Sequence, residues 1–188
     1  MSDHAFKLAV CQIRTELDKA VTMEKARCMV REAAENGANV VVLPEMYNCP
    51  YSKEYFKPFA DAENGESLEH MSAWARDNGI ILVGGTIPEK DGDKLYNTCL
   101  VFEEAGKVIA RHRKMHLFDV DIEGGIRFKE SNHFAAGRDI TTFDTKYGKM
   151  GVLVCFDMRF PELVRAMARR GAEVVFCPEQ FTMTTGPK

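Results

Sequence analysis

The chain has 188 residues, 45% of them hydrophobic, enough for one domain with a continuous core. Its 25 Lys+Arg against 28 Asp+Glu give a formal charge of −3 with both signs scattered, which excludes the basic face of a nucleic-acid partner. No apolar run reaches the roughly 18 residues of a membrane helix, so no membrane partner is expected. The start, MSDHAFKLAV, lacks a basic region leading into an apolar one, and a cytoplasmic location is expected.

Residues 6–13 (FKLAVCQI) predict a strand, and Met23, Ala26, Val30 and Ala33 fall at helical spacing over 18–35, stopped by Asn36-Gly37. NVVVL at 39–43 is apolar throughout, the pattern of a strand buried on both faces. A helix over 67–77 and a strand over 80–85 follow. Residues 95–102 and 107–112 flank EEAG as a hairpin. From 115 to 138 the periodicity dissolves into a long loop containing Gly124-Gly125, a length that usually signals function or disorder. Strands are predicted at 139–143, 150–154 and 173–177, with a helix over 161–170 that has Pro161 in its first turn and Gly171 beyond its end. With no linker or repeat, residues 1–188 read as a single α/β layered domain with mixed strand directions.

The six cysteines (Cys11, Cys28, Cys49, Cys99, Cys155, Cys177) contain no C-x-x-C pair, which disfavours zinc ribbons and redox dithiols. Free thiols are expected. Cys155 stands apart because it ends the apolar run MGVLV and precedes a turn into a helix. Open α/β sheets place ligands at that end of a strand, the N-terminus of the following helix is expected to lower a nearby thiol pKa, and neighbouring backbone N–H groups can receive an oxyanion. The alternative is a small apolar side chain in a core strand. Glu45 follows the buried run VVVLP, and Lys114 follows KVIARH at its exit, so all three could converge on one pocket. Taken singly, Glu45 could cap a helix and Lys114 could belong to a solvated RHRK face.

Three segments carry a resemblance: LPEMYNCPYS around Glu45, HRKMHLFDVDIEGGIRFKES around Lys114 and GVLVCFDMRFPEL around Cys155. In order and spacing they resemble the signature segments of the carbon–nitrogen hydrolase (nitrilase) superfamily, over Phe6 to Lys188. HLFDVDI, CFDMRFPE and FTMTTGP are similar to its ω-amidase-like branch. The resemblance implies an α-β-β-α sandwich, incomplete at its C-terminal end because family members are longer, and an N-terminal portion of low solubility and weak or absent activity if isolated. It also implies a Glu45–Lys114–Cys155 triad, with Glu130 as a second glutamate (Glu123 is a poorer candidate), and neither metal nor organic cofactor.

On that reading Glu45 is the base, Cys155 attacks an amide carbon, and the oxyanion lies between Lys114 and the Phe156 N–H. The branch implies a short α-keto dicarboxylate ω-amide, α-ketoglutaramate or α-ketosuccinamate, as the small-molecule partner, with water and release of ammonia. N-carbamoylputrescine, deaminated glutathione and nitriles are alternatives, as is a catalytically silent scaffold. Arg159 is the candidate cation for the distal carboxylate, against an ion pair with Asp157 or Glu162, and Phe118 is the candidate apolar contact. Glu179-Gln180 departs from the small residues often found there in relatives. A metal site using His112 and His116 at i, i+4 is a rival reading without an H-E-x-x-H pattern. Leu163, Val164 and Met167 are expected in the core or against a second subunit of a homodimer, and Arg165, Arg169 and Arg170 on a solvated face.

Overall fold

The computed structural model describes residues 5–181. The FTMTTGP segment, from Thr182 onward, lies outside the described residues.

Four layers are built by strands whose two faces both find partners. Strands β1 (Leu8–Val10), β2 (Val40–Val42), β4 (Ile81–Val83), β6 (Lys94–Phe102), β5 (Ile87–Asp91) and β3 (Asp61–Ala62) follow one another across a seven-stranded sheet, and β7 (Val108–Arg113) pairs with β6. Because successive side chains point to opposite faces, the all-apolar strands split cleanly. Val41, Leu43, Leu82, Leu100 and Phe102 join Ala26, Val30, Met71 and Trp74 of the helices α1 (Lys19–Glu35) and α3 (Glu66–Asn78) in one core. Val40, Val42, Ile81, Val83, Cys99 and Val101 face the other way. They pack on Phe143, Met150, Val152 and Phe176 of a second sheet, β10 (Thr142–Thr145), β11 (Gly148–Val152) and β12 (Val174–Phe176). Leu163 and Met167 of helix α4 (Pro161–Arg169) cover that sheet's outer side, while Val164 is exposed. This is the α-β-β-α arrangement the resemblance implied.

Helix ends follow local chemistry. The Asp18 side chain accepts hydrogen bonds from the first-turn N–H groups of Ala20 and Val21 on α1. Gly79 closes α3 in the left-handed region, and Pro161 opens α4. No helix among the described residues is long and apolar enough to cross a membrane.

Two regions differ from the sequence reading. The loop over 115–138 contains an antiparallel pair, β8 (Asp119–Asp121) and β9 (Arg127–Lys129), and a 3₁₀ turn at Glu130–Asn132. Each strand has only three residues with charged side chains at both ends, so no apolar alternation marks it. The short helix α2 (Lys53–Phe56) and strands β3 and β5 also lack such a signal. β5 carries Pro88, Glu89 and Lys90, yet it continues the edge that β4 presents to β6. Gly84-Gly85 interrupts that edge and makes room for the segment carrying Glu45. A Cβ on Gly85, at φ +59°, would lie 2.1 Å from the Pro44 carbonyl oxygen.

Candidate active site

The inter-sheet face of β6 and β7 turns polar towards one end. Asn97 shares the face of Cys99 and Val101, and His112, paired with Cys99, brings Lys114 to the same side as the strand ends. Glu45 arrives after β2, and Thr86 anchors its loop by accepting hydrogen bonds from the N–H groups of Met46 (2.8 Å, to the hydroxyl) and Tyr47 (3.2 Å, to the carbonyl). Gly137 holds the far side of Lys114. Its N–H donates to the Lys114 carbonyl at 2.9 Å, in a contact so close that a Cβ would meet the Arg113 carbonyl oxygen at 2.0 Å.

The Lys114 ammonium lies 2.9 Å from Glu45 Oε1 and 2.9 Å from Glu130 Oε2, with all three side chains buried. The Asn97 amide donates to both carboxylates, at 2.8 Å to Glu45 and 3.1 Å to Glu130. The Phe118 N–H donates to Glu130 Oε2 at 2.6 Å. Two carboxylates therefore share one cation, and Glu45 Oε2 is buried without a hydrogen-bond partner among the described residues. Burial raises the pKa of Glu45; Lys114 opposes this rise and Glu130 adds to it. For Lys114, burial works against the charge, but the Glu45 and Glu130 carboxylates outweigh it and the pKa rises. Lys114 stays protonated.

Cys155 is half-buried at the start of a 3₁₀ turn, Cys155–Arg159, that leads into α4. Its φ is +44°, a conformation a non-glycine residue adopts at a cost of roughly 1–3 kcal/mol. Met46, next to Glu45, is the other non-glycine residue with positive φ among the described residues. Strain is thus confined to the two places where the candidate nucleophile and base are set. The thiol is not lowered as the helix N-terminus led one to expect: burial outweighs it and pushes Cys155 up to about 12, with the Glu45 charge adding to the rise and Lys114 opposing it. The resting sulfur is a thiol, and the Glu45 and Lys114 charges both act on it.

Glu45, Lys114 and Glu130 are brought together by direct contact, and Cys155 lies within reach of the Glu45 and Lys114 charges. Phe118 sits edge-on to Phe156 at 5.3 Å, and Phe156 edge-on to Phe160 at 5.6 Å, forming an aromatic wall beside the turn. Arg159 is exposed, and no ion pair holds it among the described residues. The expected structural pair with Asp157 is not formed, because His112 and His116 bond the Asp157 carboxylate. That use of the two imidazoles also accounts for their spacing; among the described residues no group of three or more His, Cys, Asp or Glu could hold a metal ion. Glu123 is exposed in the turn between β8 and β9. All six cysteines are free.

Two site residues escaped the sequence reading. Asn97 carries a detectable signal, an amide inside the otherwise apolar run LYNTCLVF, a residue type strands disfavour. Tyr51 lies in the LPEMYNCPYS segment itself; burial raises its phenol pKa, and the charges of Glu45, Glu130 and Cys155 raise it further, which places the phenol beside this group.

The chain matches the Carbon-nitrogen hydrolase family over residues 7–188. It is 48% identical over 182 residues to Omega-amidase NIT2 of Danio rerio, covering 97% of this chain and 66% of that protein. It is 46% identical over 185 residues to Hydrolase C26A3.11 of Schizosaccharomyces pombe, covering 97% of this chain and 58% of the other. The crystal structure of Saccharomyces cerevisiae Nit3, a member of branch 10 of the nitrilase superfamily, matches with a TM-score of 0.83 and 40% identity, over 95% of this chain and 66% of that one. The chain spans 66% or less of the length of these relatives.

Proposed function

The chain belongs to the carbon–nitrogen hydrolase family, and from that premise we propose that it hydrolyses the ω-amide of a short α-keto dicarboxylate, α-ketoglutaramate or α-ketosuccinamate, through a Cys155 thioester. The observation that carries the proposal is the Lys114 ammonium, held 2.9 Å from each of two buried carboxylates beside a strained cysteine.

The steps follow from the charges. Glu45, its pKa raised by burial, takes the thiol proton as the sulfur attacks the amide carbon. With the thiol at about 12, transfer accompanies attack rather than preceding it. The oxyanion forms against the Lys114 ammonium and the Phe156 N–H, where one lost donor typically costs roughly 100- to 1000-fold. Collapse breaks the C–N bond, and Glu45 returns its proton to the departing ammonia. Water then adds to the thioester, giving a proton to Glu45. The carboxylic acid leaves, and the thiol is restored. Glu130, pinned by Phe118, Lys114 and Asn97, keeps the ammonium and Glu45 in register.

The substrate class rests on the named ω-amidase relative and on Arg159, an exposed cation four residues beyond Cys155 that can meet a distal carboxylate. Phe118 and Phe156 supply apolar contacts for the short carbon chain. A homodimer pairing through the region of α4, with exposed Val164, is part of the same proposal.

The test is ammonia release from α-ketoglutaramate, N-carbamoylputrescine, deaminated glutathione and a simple nitrile, by the wild type and by Cys155→Ala. Release from the first, abolished in the variant, is expected. Preference for another compound moves the substrate to a different branch. Release that survives in Cys155→Ala overturns the mechanism.

A further inference from the structure

Asp157, two residues after the nucleophile, is buried, and its carboxylate gathers donors from three directions. Oδ2 accepts from the Val154 N–H at 3.0 Å and meets His112 Nε2 at 3.1 Å. Oδ1 accepts from the N–H groups of Met115, at 3.2 Å, and His116, at 2.8 Å, and meets His116 Nδ1 at 2.7 Å. An ionised carboxylate only accepts, so both imidazoles turn an N–H towards it. The Nδ1 of the buried His112 is left facing the Thr141 hydroxyl at 3.0 Å. The His116 ring stacks on Phe160 at 3.7 Å, at the far end of the same turn.

The placement of these bonds along the chain is what matters. Val154 immediately precedes Cys155, while His112, Met115 and His116 bracket Lys114 on both sides. One carboxylate therefore fastens the backbone next to the sulfur to the backbone next to the ammonium, across the gap between the two sheets. Three of the groups that face it are backbone N–H donors, on both of its oxygens, so an amide of the same size would set its NH₂ against at least one of them even where an imidazole changes tautomer. The same bond to Val154 also helps to hold Cys155 in its left-handed conformation.

We propose that Asp157, braced by His112 and His116, is a positioning residue that sets the separation of the Lys114 ammonium from the Cys155 sulfur. The proposal rests on the hydrolase reading above for its kinetic consequence, but not for its chemical one. Separating the two groups withdraws the lysine from the thiolate, whatever the substrate.

Asp157→Asn in the full chain tests this with two readouts. The rate of Cys155 alkylation by iodoacetamide is followed against pH, and ammonia release from α-ketoglutaramate is resolved into kcat and KM. The expected result is alkylation slower by about tenfold at pH 8, the rising limb of the profile displaced to higher pH, and kcat lower by at least tenfold with KM within threefold. His116→Ala, which removes one donor and the stack on Phe160, shifts the same profile by about threefold, and it decides the matter if Asp157→Asn does not fold. A displaced alkylation profile without ammonia release from the wild type upholds the positioning role while removing the ω-amidase reading. A folded variant with the wild-type profile and kcat overturns the proposal, as does an unchanged His116→Ala where Asp157→Asn is unfolded.

Discussion

The β6–β7 ribbon carries a buried ion cluster on each face, and the two are wired oppositely. On the inter-sheet face Glu45 and Glu130 share Lys114, two buried carboxylates to one buried cation. On the helix face, one residue along each strand, Glu89 is shared by Arg111 and Arg113 and accepts the Thr98 hydroxyl at 3.0 Å. There two arginines meet one buried carboxylate, and each also reaches solvent, where Arg111 pairs with Glu63 and Arg113 with Asp91, which lowers the cost of its charge. The helix-face cluster is arranged as a structural clasp. The inter-sheet one holds an under-compensated base against a thiol, an arrangement that serves chemistry at some cost in stability.

The sharpest way to break this comparison is Glu45→Gln. Ammonia release should fall by about 1000-fold, within the range for a lost general base. Stability should move the other way. Burial raises the native pKa of Glu45 above its unfolded value, so the native state holds that proton more tightly. Its stabilising contribution is fully present below the unfolded pKa and is lost as pH rises through the native one. At pH 8 the variant should therefore unfold at the same or a higher temperature than the wild type, and the gap should close on acidification. A lower melting temperature at pH 8 would place both clusters in the same structural class.

Glu89→Gln should do the reverse. Two arginines lose their shared carboxylate, and because they are partly exposed the loss should sit near the low end for a broken buried pair, about 3 kcal/mol in urea unfolding. Activity per folded molecule should stay within threefold. Asn97→Leu sharpens the contrast from inside the site, since it removes the donor common to both carboxylates. A drop in kcat of about 10- to 30-fold is expected, equivalent to about 1.4–2 kcal/mol for a lost charge-assisted bond. The smallest effect belongs to Arg159→Gln: about a tenfold rise in KM for α-ketoglutaramate with kcat within threefold, and no rise for an amide lacking a distal carboxylate.

Glu45, Lys114 and Cys155 drew notice because they stand at strand exits, after VVVLP, KVIARHR and MGVLV, but position alone left each an ordinary alternative, and the resemblance of the three segments singled them out. Side-chain polarity at a strand exit is a local signal. What escaped was non-local. VVV in β2 reads the same whichever residue faces the helices, so the split between Val41 and its neighbours appears only with the second sheet in place. β5 is hidden by Pro88 and its charges, and β8 and β9 by strands too short to show a period. Asp157 looked like a partner for Arg159, its neighbour but one. Apart from the neighbouring Val154 N–H, its actual partners lie more than forty positions earlier, at His112, Met115 and His116.

The most direct test of the hydrolase reading is rapid acid quenching of the chain with α-ketoglutaramate, followed by peptide mapping by mass spectrometry. The account predicts one acyl adduct, the substrate less ammonia, on the peptide containing Cys155, with the other five cysteines unmodified and no adduct in Cys155→Ala. Ammonia released at full rate while Cys155 stays free at every quench time would contradict it.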